Sequence, residues 1–164
     1  GENVYKINKI SLPSSLRNDI SGFENISHIT NNTYLYGNTL GYIIIDLDKL
    51  KQKAHKVNLN LISNGNYKNG FKTKFLDASS KGILKNNENN FEFNFSVPEY
   101  DKYLEAEYQY KLVGIYNLWS NWSTKPNVLF ENLPSGDYTF FVRSRIGDEV
   151  SENTAYYNFK IETP

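Results

Sequence analysis

The sequence predicts an all-β protein, and three observations carry that prediction. Apolar residues alternate with polar ones along most of the chain. No stretch keeps apolar residues at helical spacing beyond about two turns. The third observation is a turn at Pro134–Asp137, after which Tyr138 opens a strand that continues through Phe140 and Val142. A Leu, a turn and a Tyr in this order are typical of a tyrosine corner, so the predicted fold is an immunoglobulin-like or fibronectin III-like β-sandwich.

Composition limits the size of the fold and the kinds of partner it can have. The 164 residues fit one domain plus a smaller piece, and 15% aromatic residues supply a core to a chain of low mean hydropathy. The 18 basic and 18 acidic residues balance, so no nucleic-acid or anionic-membrane partner is predicted. With no cysteine, the chain has no disulfide, thiolate metal site or cysteine nucleophile.

Inward-facing apolar residues predict the strands of the sandwich. They recur at every second position in six segments, and a short strand near Phe75 or Ile83 brings the total to about seven, enough for two sheets. The inward sets are Val57, Leu59, Leu61; Phe91, Phe93, Phe95, Val97; Ala106, Tyr108, Tyr110, Leu112; Val128, Phe130; Tyr138, Phe140, Val142; and Ala155, Tyr157, Phe159, Ile161.

The beginning of the chain has a different organisation. It contains three short predicted strands separated by turns, at residues 26–30, 33–37 and 41–46. A polar, basic segment follows them and marks a boundary. We therefore predict a first domain at residues 1–50, a linker at residues 51–56 and the sandwich at residues 57–164.

Residues 57–164 resemble the triple-tyrosine (Y_Y_Y) domain of bacterial sensor ectodomains. Three motifs carry the resemblance in the order and at the spacing of that family: Tyr108–Gly114, Trp119–Ser123 and Leu133–Phe140. The chain departs from the family at two places. Phe130 stands where a tyrosine is usual, and Tyr116–Leu118 replaces the acidic stretch that usually precedes the position of Trp119. Packing tolerates both changes, whereas any role of the missing hydroxyl is lost.

Residues 26–46 are similar to the repeat of two-component regulator propellers, with Tyr34–Asn38 and Gly41–Asp46 as the matching strands. Since one blade takes roughly 40 residues, a single blade fits before the linker. The resemblance implies a large extracytoplasmic propeller, then the sandwich, then a membrane helix after Pro164 that leads to a histidine kinase or a DNA-binding domain. It also implies a periplasmic location and a signal molecule that binds the propeller. We predict that the sandwich pairs with a second copy near the strand that ends at Ile161, and that an oligosaccharide is a candidate signal for the missing propeller.

Five aromatic residues are the candidate ligand-binding or structural side chains. Trp119 and Trp122 lie three positions apart around a Ser-Asn turn, and two such indole faces can stack on sugar rings. We favour the alternative that they cap the hydrophobic core, because buried aromatics dominate small β cores. Tyr108, Tyr110 and Tyr138 fall on inward positions and are predicted core residues.

No catalytic, metal or cofactor site is predicted. The two histidines, His28 and His55, lie in different predicted domains without a carboxylate at ligand spacing. No serine has a recognisable His and Asp partner, and no nucleotide-binding fingerprint is present. The resemblance to sensor ectodomains therefore stands without a competing catalytic signal, and it implies a non-catalytic relay domain of a sensor. The alternatives are a carbohydrate-binding accessory module, which exposed tryptophans would favour, and a non-catalytic piece of a surface hydrolase.

Overall fold

The computed structural model describes residues 25–39, 41–49, 54–65, 74–98 and 105–164. All regular structure in these ranges is β-strand, as the alternating sequence predicts. The strands are β1 (Asn25–Thr30), β2 (Thr33–Asn38), β3 (Gly41–Asp46), β4 (Asn58–Gly65), β5 (Lys74–Leu76), β6 (Gly82–Leu84), β7 (Asn90–Ser96), β8 (Ala106–Val113), β9 (Asn127–Phe130), β10 (Gly136–Ile146), β11 (Glu149–Val150) and β12 (Ala155–Ile161).

The chain divides into two compact units. The first comprises Gly1–Ala54 with two short later segments, and the second comprises His55–Tyr100, Ala106–Arg145 and Val150–Pro164. In the first unit, β1, β2 and β3 form the small sheet, in that order. The second unit contains the β7 sheet, of order β5-β4-β7-β9, and the β10 sheet, of order β11-β10-β12-β6 with β8 also beside β10.

The small sheet carries apolar side chains on both faces. Its three strands lie where the sequence predicts them, and their register places Ile26, Tyr36 and Ile43 side by side on one face. Leu35 and Ile44 lie side by side on the opposite face. Ile26 is 63% exposed and Ile44 is 58% exposed. Both faces of this sheet therefore present apolar surface of the kind that packs against a neighbour.

Aromatic rings from the β7 and β10 sheets fill the core of the second unit. Phe93 of β7 stacks on Phe140 of β10 with ring centroids 4.0 Å apart, and Phe91 meets Phe159 of β12 at 4.3 Å. All four rings are fully buried. Such ring pairs stabilise the folded state by about 0.5–1.5 kcal/mol each, in addition to the gain from burying their apolar surface. The predicted β-sandwich is confirmed, and short strands form both at β5 and at β6.

The predicted inward set of β4 is wrong after Leu59. A bulge shifts the register of β4 against β7, so that Leu59 pairs with Phe95 but Leu61 pairs with Asn94. As a result Leu61 is 41% exposed, and Ile62 takes the core position with 1% of its surface exposed. One extra residue in a strand reverses the face to which later side chains point.

The turn before β10 forms the predicted tyrosine corner. Tyr138 is buried, and its hydroxyl donates a hydrogen bond to the Pro134 carbonyl oxygen at 2.8 Å. Burial raises the pKa of the Tyr138 phenol. Gly114 packs against the same ring with a φ of +113°, and a Cβ there would lie 2.7 Å from Tyr138 and 2.8 Å from the Asp137 carbonyl oxygen. Glycine fits this position because it has no Cβ to collide with the ring and because it adopts a positive φ without strain.

Candidate functional site

The segment that holds both tryptophans, Tyr116–Ser123, runs along the edge of β8 that faces away from β10. Ser123 and Tyr108 exchange backbone hydrogen bonds of 2.7 and 3.0 Å, and Leu112 and Tyr116 exchange bonds of 3.0 and 2.7 Å. We call residues 116–123 the tryptophan segment. Because an open strand edge attracts other chains, this segment protects β8 from edge-to-edge pairing.

Trp119 and Trp122 lie over the β10 sheet among three cationic side chains. The Arg143 guanidinium carbon is 4.4 Å from the ring centroid of Trp119 and 5.5 Å from that of Trp122. Arg145 lies 4.5 Å from Trp122, and the Lys111 ammonium lies 4.9 Å from Trp119. We call these five side chains the cation ladder. Contacts of this kind contribute about 0.5–1 kcal/mol each at exposed sites and about 2 kcal/mol when desolvated.

Two side chains of β8 hold the arginines of the cation ladder. The Gln109 side-chain oxygen accepts hydrogen bonds from Nε and Nη2 of Arg143 at 2.9 and 2.7 Å. The Gln109 amide donates in turn to the Ser120 carbonyl oxygen at 2.7 Å. Glu107 accepts a hydrogen bond from Nε of Arg145 at 2.8 Å. Gln109 therefore joins β8, β10 and the tryptophan segment through one side chain.

The tryptophans do not cap the core, which corrects the interpretation favoured from the sequence. Along β10 the side chains of Phe140 and Val142 are buried, whereas Arg143 and Arg145 alternate with the buried positions and contact the indoles. Both indoles are half-buried on this outer face of the sheet. Since each indole already contacts two cations, a stacked sugar ring would compete with them. The arrangement is suited to clamping strands together.

The three candidate tyrosines occupy different positions. Tyr108 is 4% exposed and lies 5.0 Å from the ring centroid of Phe95, and Tyr138 forms the corner described above. Tyr110 is only half-buried, although its inward position predicts a core residue. Its ring meets Phe130 of β9 edge-on at 6.0 Å. Because β9 is the last strand of its sheet in the described part of the chain, Tyr110 is shielded less than Tyr108.

A second polar cluster ties the start of the sandwich to the loop before β12. The Asn153 side chain accepts a hydrogen bond from the Val57 N–H and donates one to the Val57 carbonyl oxygen, both at 2.9 Å. The Glu152 N–H donates to the His55 carbonyl oxygen at 2.9 Å, and the buried His55 ring bonds the Ser144 hydroxyl at 3.1 Å. We call these five residues the Asn153 latch. The sequence does not predict the latch, because a loop asparagine carries no signal for a partner 96 positions away.

The histidines bind neighbouring groups within their own units. Nε2 of His28 lies 2.6 Å from the Asn31 carbonyl oxygen in the turn after β1, and the His28 ring meets Tyr34 at 5.3 Å. His55 belongs to the Asn153 latch. Among the residues that the structure describes, no three His, Cys, Asp or Glu side chains converge as metal ligands. The same residues include no helix with the length and apolarity that a membrane crossing requires.

Residues 99–162 match the family model of the Y_Y_Y domain, within the predicted sandwich at residues 57–164. The extracellular domain of BT3049, a proposed hybrid two-component system of B. thetaiotaomicron, is 24% identical with a TM-score of 0.69. That match covers 84% of this chain and 20% of the other. The extracellular domain of BT4673 from the same organism, described as a proposed one-component system, is 19% identical with a TM-score of 0.55 over 85% of this chain and 20% of the other.

A second crystal structure of BT4673, described as part of a proposed hybrid two-component system, is 19% identical with a TM-score of 0.54. It covers 81% of this chain and 19% of the other. This chain therefore spans about a fifth of the length of the solved structures that it resembles. Likeness at these identities shows a shared fold. Among curated proteins, none matches the sequence.

Proposed function

We propose that this chain, whose residues 99–162 match the Y_Y_Y family model, is a non-catalytic relay segment of an extracytoplasmic bacterial sensor. It passes a ligand-induced change toward the membrane helix of a two-component or transcriptional regulator. The Asn153 latch is the observation that carries this proposal, since it joins the start of the sandwich to the loop that leads into its last strand. The neighbours described as extracellular domains of such systems support a location outside the cytoplasm.

The Asn153 latch gives the relay a direct route through the domain. Val57 immediately precedes β4, and Asn153 lies just before β12, so a displacement of the incoming chain acts on β12 through two hydrogen bonds. The aromatic core cannot absorb such a displacement, because close-packed interiors deform little. The last strand therefore moves together with Val57.

The small sheet supports the assignment of the first unit as one propeller blade. Apolar residues on both faces suit a sheet that stacks between two others. In this proposal the remaining blades belong to the longer protein and converge into the concave surface where an oligosaccharide signal binds. The sandwich transmits the signal that the propeller receives.

A second copy of the chain is the proposed partner. Two sandwiches pair in the intact receptor across a two-fold axis near the end of β12 at Ile161. Pairing of the isolated chain is weak, because membrane helices and propellers raise the effective concentration of the two sandwiches only in the receptor.

The relay is tested in the full-length receptor with Asn153→Ala and the matched control Asn158→Ala. Both remove an amide side chain near β12, but only the first breaks the Asn153 latch. We expect Asn153→Ala to reduce the transcriptional response to a panel of plant and host glycans while the receptor is exported at wild-type levels. Asn158→Ala leaves the response unchanged. A wild-type response with Asn153→Ala overturns transmission through the latch.

The coding sequence downstream of Pro164 provides an independent test. We expect it to encode a membrane helix followed by a histidine kinase or a DNA-binding domain. A hydrolase module in that position contradicts the sensor proposal and favours the surface-hydrolase alternative.

A carbohydrate-binding accessory module is the alternative function, and calorimetry of the chain against the same glycans tests it. We expect no binding at micromolar affinity, because each indole of the cation ladder contacts two cations. Micromolar binding that is abolished by Trp119→Ala or Trp122→Ala would replace the relay proposal with this alternative.

A further inference from the structure

A groove of about 670 Å³ opens on the sandwich between the first halves of β4 and β12, with the turn at residues 78–81 as its third wall. Its polar side chains include those of Asn58, Asn60, Ser80, Lys81 and Asn153. Tyr156, which is 60% exposed, also lines the groove. The groove is close to neutral, because the Lys81 ammonium is paired with Asp137 at 3.0 Å.

The β12 side of the groove is an unpaired strand edge. β12 pairs with β10 along its whole length, but with β6 only through Phe159–Ile161. In the described ranges, no strand lies beside Ala155–Tyr157 on the side of β6, and the parallel pairing of Phe159 with Gly82 engages only the carbonyl of Asn158. About three residues of strand therefore have one edge open to the groove, or about 10 Å of strand length.

The alternation of the backbone shows which groups face this edge. The Glu162 N–H donates to the Leu84 carbonyl oxygen of β6 at 2.9 Å. Residues at every second position along a strand direct their N–H and C=O groups to the same edge. The N–H and C=O of Tyr156 and the N–H of Asn158 therefore point into the groove, whereas the backbone groups of Tyr157 point toward β10 and the Asn158 carbonyl pairs with Gly82 of β6.

Hydrogen bonds hold the walls of the groove in place. Asn60 donates to the Ser96 hydroxyl at 2.8 Å, and Asn153 is fixed by the Asn153 latch. In the turn, Asp77 accepts bonds from the N–H and the hydroxyl of Ser79 at 2.9 and 2.7 Å. A groove that is already ordered lowers the entropic penalty of binding. Because β4 and the turn flank the edge, it is recessed and accessible to a single strand rather than to a whole sheet.

We propose that this groove binds an extended peptide segment of a partner protein, which adds as a strand beside Tyr156–Asn158. The exposed backbone groups of β12 select an extended polypeptide, since its alternating N–H and C=O groups match theirs. The neutral amide lining selects a segment with uncharged polar side chains such as Ser, Thr, Asn or Gln. This binding function is additional to the relay and does not depend on it.

Peptides selected from a phage-displayed library of random heptapeptides provide the probe, and calorimetry on the whole chain measures their affinity. Asn158→Pro removes an N–H that faces the groove and leaves the bonds to β10, which proline at a strand edge permits. The matched control Asn158→Ala keeps that N–H and removes a side chain whose oxygen accepts a hydrogen bond from the Thr139 hydroxyl of β10 at 2.8 Å. We expect Asn158→Pro to weaken binding about tenfold or more, and Asn158→Ala to change it less than about threefold. Equal affinity for wild type and Asn158→Pro overturns the proposal.

Amide hydrogen exchange on the unsubstituted chain tests the same proposal without a proline. The Tyr156 and Asn158 amides should exchange faster than those of Tyr157 and Phe159 in the free chain, and a selected peptide should protect the first pair. A library that yields no binder, a peptide that leaves this pair unprotected, or a neutral glycan that occupies the groove in place of peptides overturns strand addition.

Discussion

The Tyr138 hydroxyl donates a hydrogen bond to the Pro134 carbonyl oxygen across 2.8 Å. The two residues are four positions apart, so this contact is local and its geometry follows from the turn between them. The ring that carries the hydroxyl is buried against Phe159 of β12 at 5.2 Å. The corner thereby connects a turn that the sequence predicts to the core of the sandwich.

Loss of this hydroxyl is expected to destabilise the fold. Tyr138→Phe should lower the free energy of unfolding by about 1 kcal/mol, because the hydrogen bond is lost while the ring stays in place. Thermal or urea unfolding measures the change. Tyr156→Phe, at an exposed tyrosine of the same sheet, is the control and should change the melting temperature little. If Tyr138→Phe leaves the melting curve unaltered, the hydrogen bond of the tyrosine corner does not stabilise the fold.

Gly114 should not tolerate a side chain. Gly114→Ala places a Cβ 2.7 Å from Tyr138 at a φ of +113°, so we expect it to lower the free energy of unfolding by about 1–3 kcal/mol. The control is Gly37→Ala, where nothing lies within 4 Å of the added Cβ. Urea midpoints compare the two variants. Equal midpoints for both would show that the corner adapts to the extra methyl group.

Stability should fall at alkaline pH through two buried tyrosines. Burial raises the pKa of Tyr138, and burial together with the Asp77 carboxylate raises the pKa of Tyr157 above the ordinary value of 10.0. The unfolded chain then loses its phenolic protons first, so the contribution of these two tyrosines to the free energy of unfolding is constant below about pH 10 and decreases above it. Urea unfolding from about pH 8 to about pH 11 should show a smaller decrease for Tyr157→Phe than for wild type. If wild type and Tyr157→Phe lose stability equally between these pH values, the raised pKa of Tyr157 is contradicted.

The cation ladder should depend on the planar guanidinium at its centre. Arg143→Lys keeps the charge but loses the pair of hydrogen bonds to Gln109 and the stacking on both indoles. We expect about 1–2 kcal/mol of destabilisation and tryptophan emission at longer wavelength. The control is Lys160→Ala, at an exposed position of β12. Unchanged emission from Arg143→Lys would show that the arginine does not order the indoles.

The small sheet should promote self-association of the isolated chain. Tyr42 and Ile44 lie on the same face of β3 and are 71% and 58% exposed. Replacing both with lysine should shift sedimentation velocity toward the monomer, because charge disrupts an apolar contact between copies. Asp48→Lys, in the turn after β3, adds charge outside this face and is the control. If the sedimentation distribution is the same with and without the two lysines, the chain associates through another surface.

Local patterns predict a large part of this fold and little of the candidate site. Alternation identifies the buried phenylalanines of β7, since side-chain direction in a regular strand depends only on parity. It fails at Leu61, because the bulge in β4 is set by pairing with β7 rather than by local sequence. It also fails for the tryptophans, whose irregular segment lacks a strand period that would assign them to a face.

By itself, the sequence determines the β class, the tyrosine corner, the three strands of the small sheet and the Y_Y_Y resemblance. These depend on steric alternation and turn chemistry within a few residues. Only the tertiary structure decides that Gln109 meets Arg143 across 34 positions, that Asn153 meets Val57 across 96, and that β12 keeps an open edge. Strand pairing brings such distant residues together. A single sequence shows which residue types are present, but it does not show which two of them will be in contact.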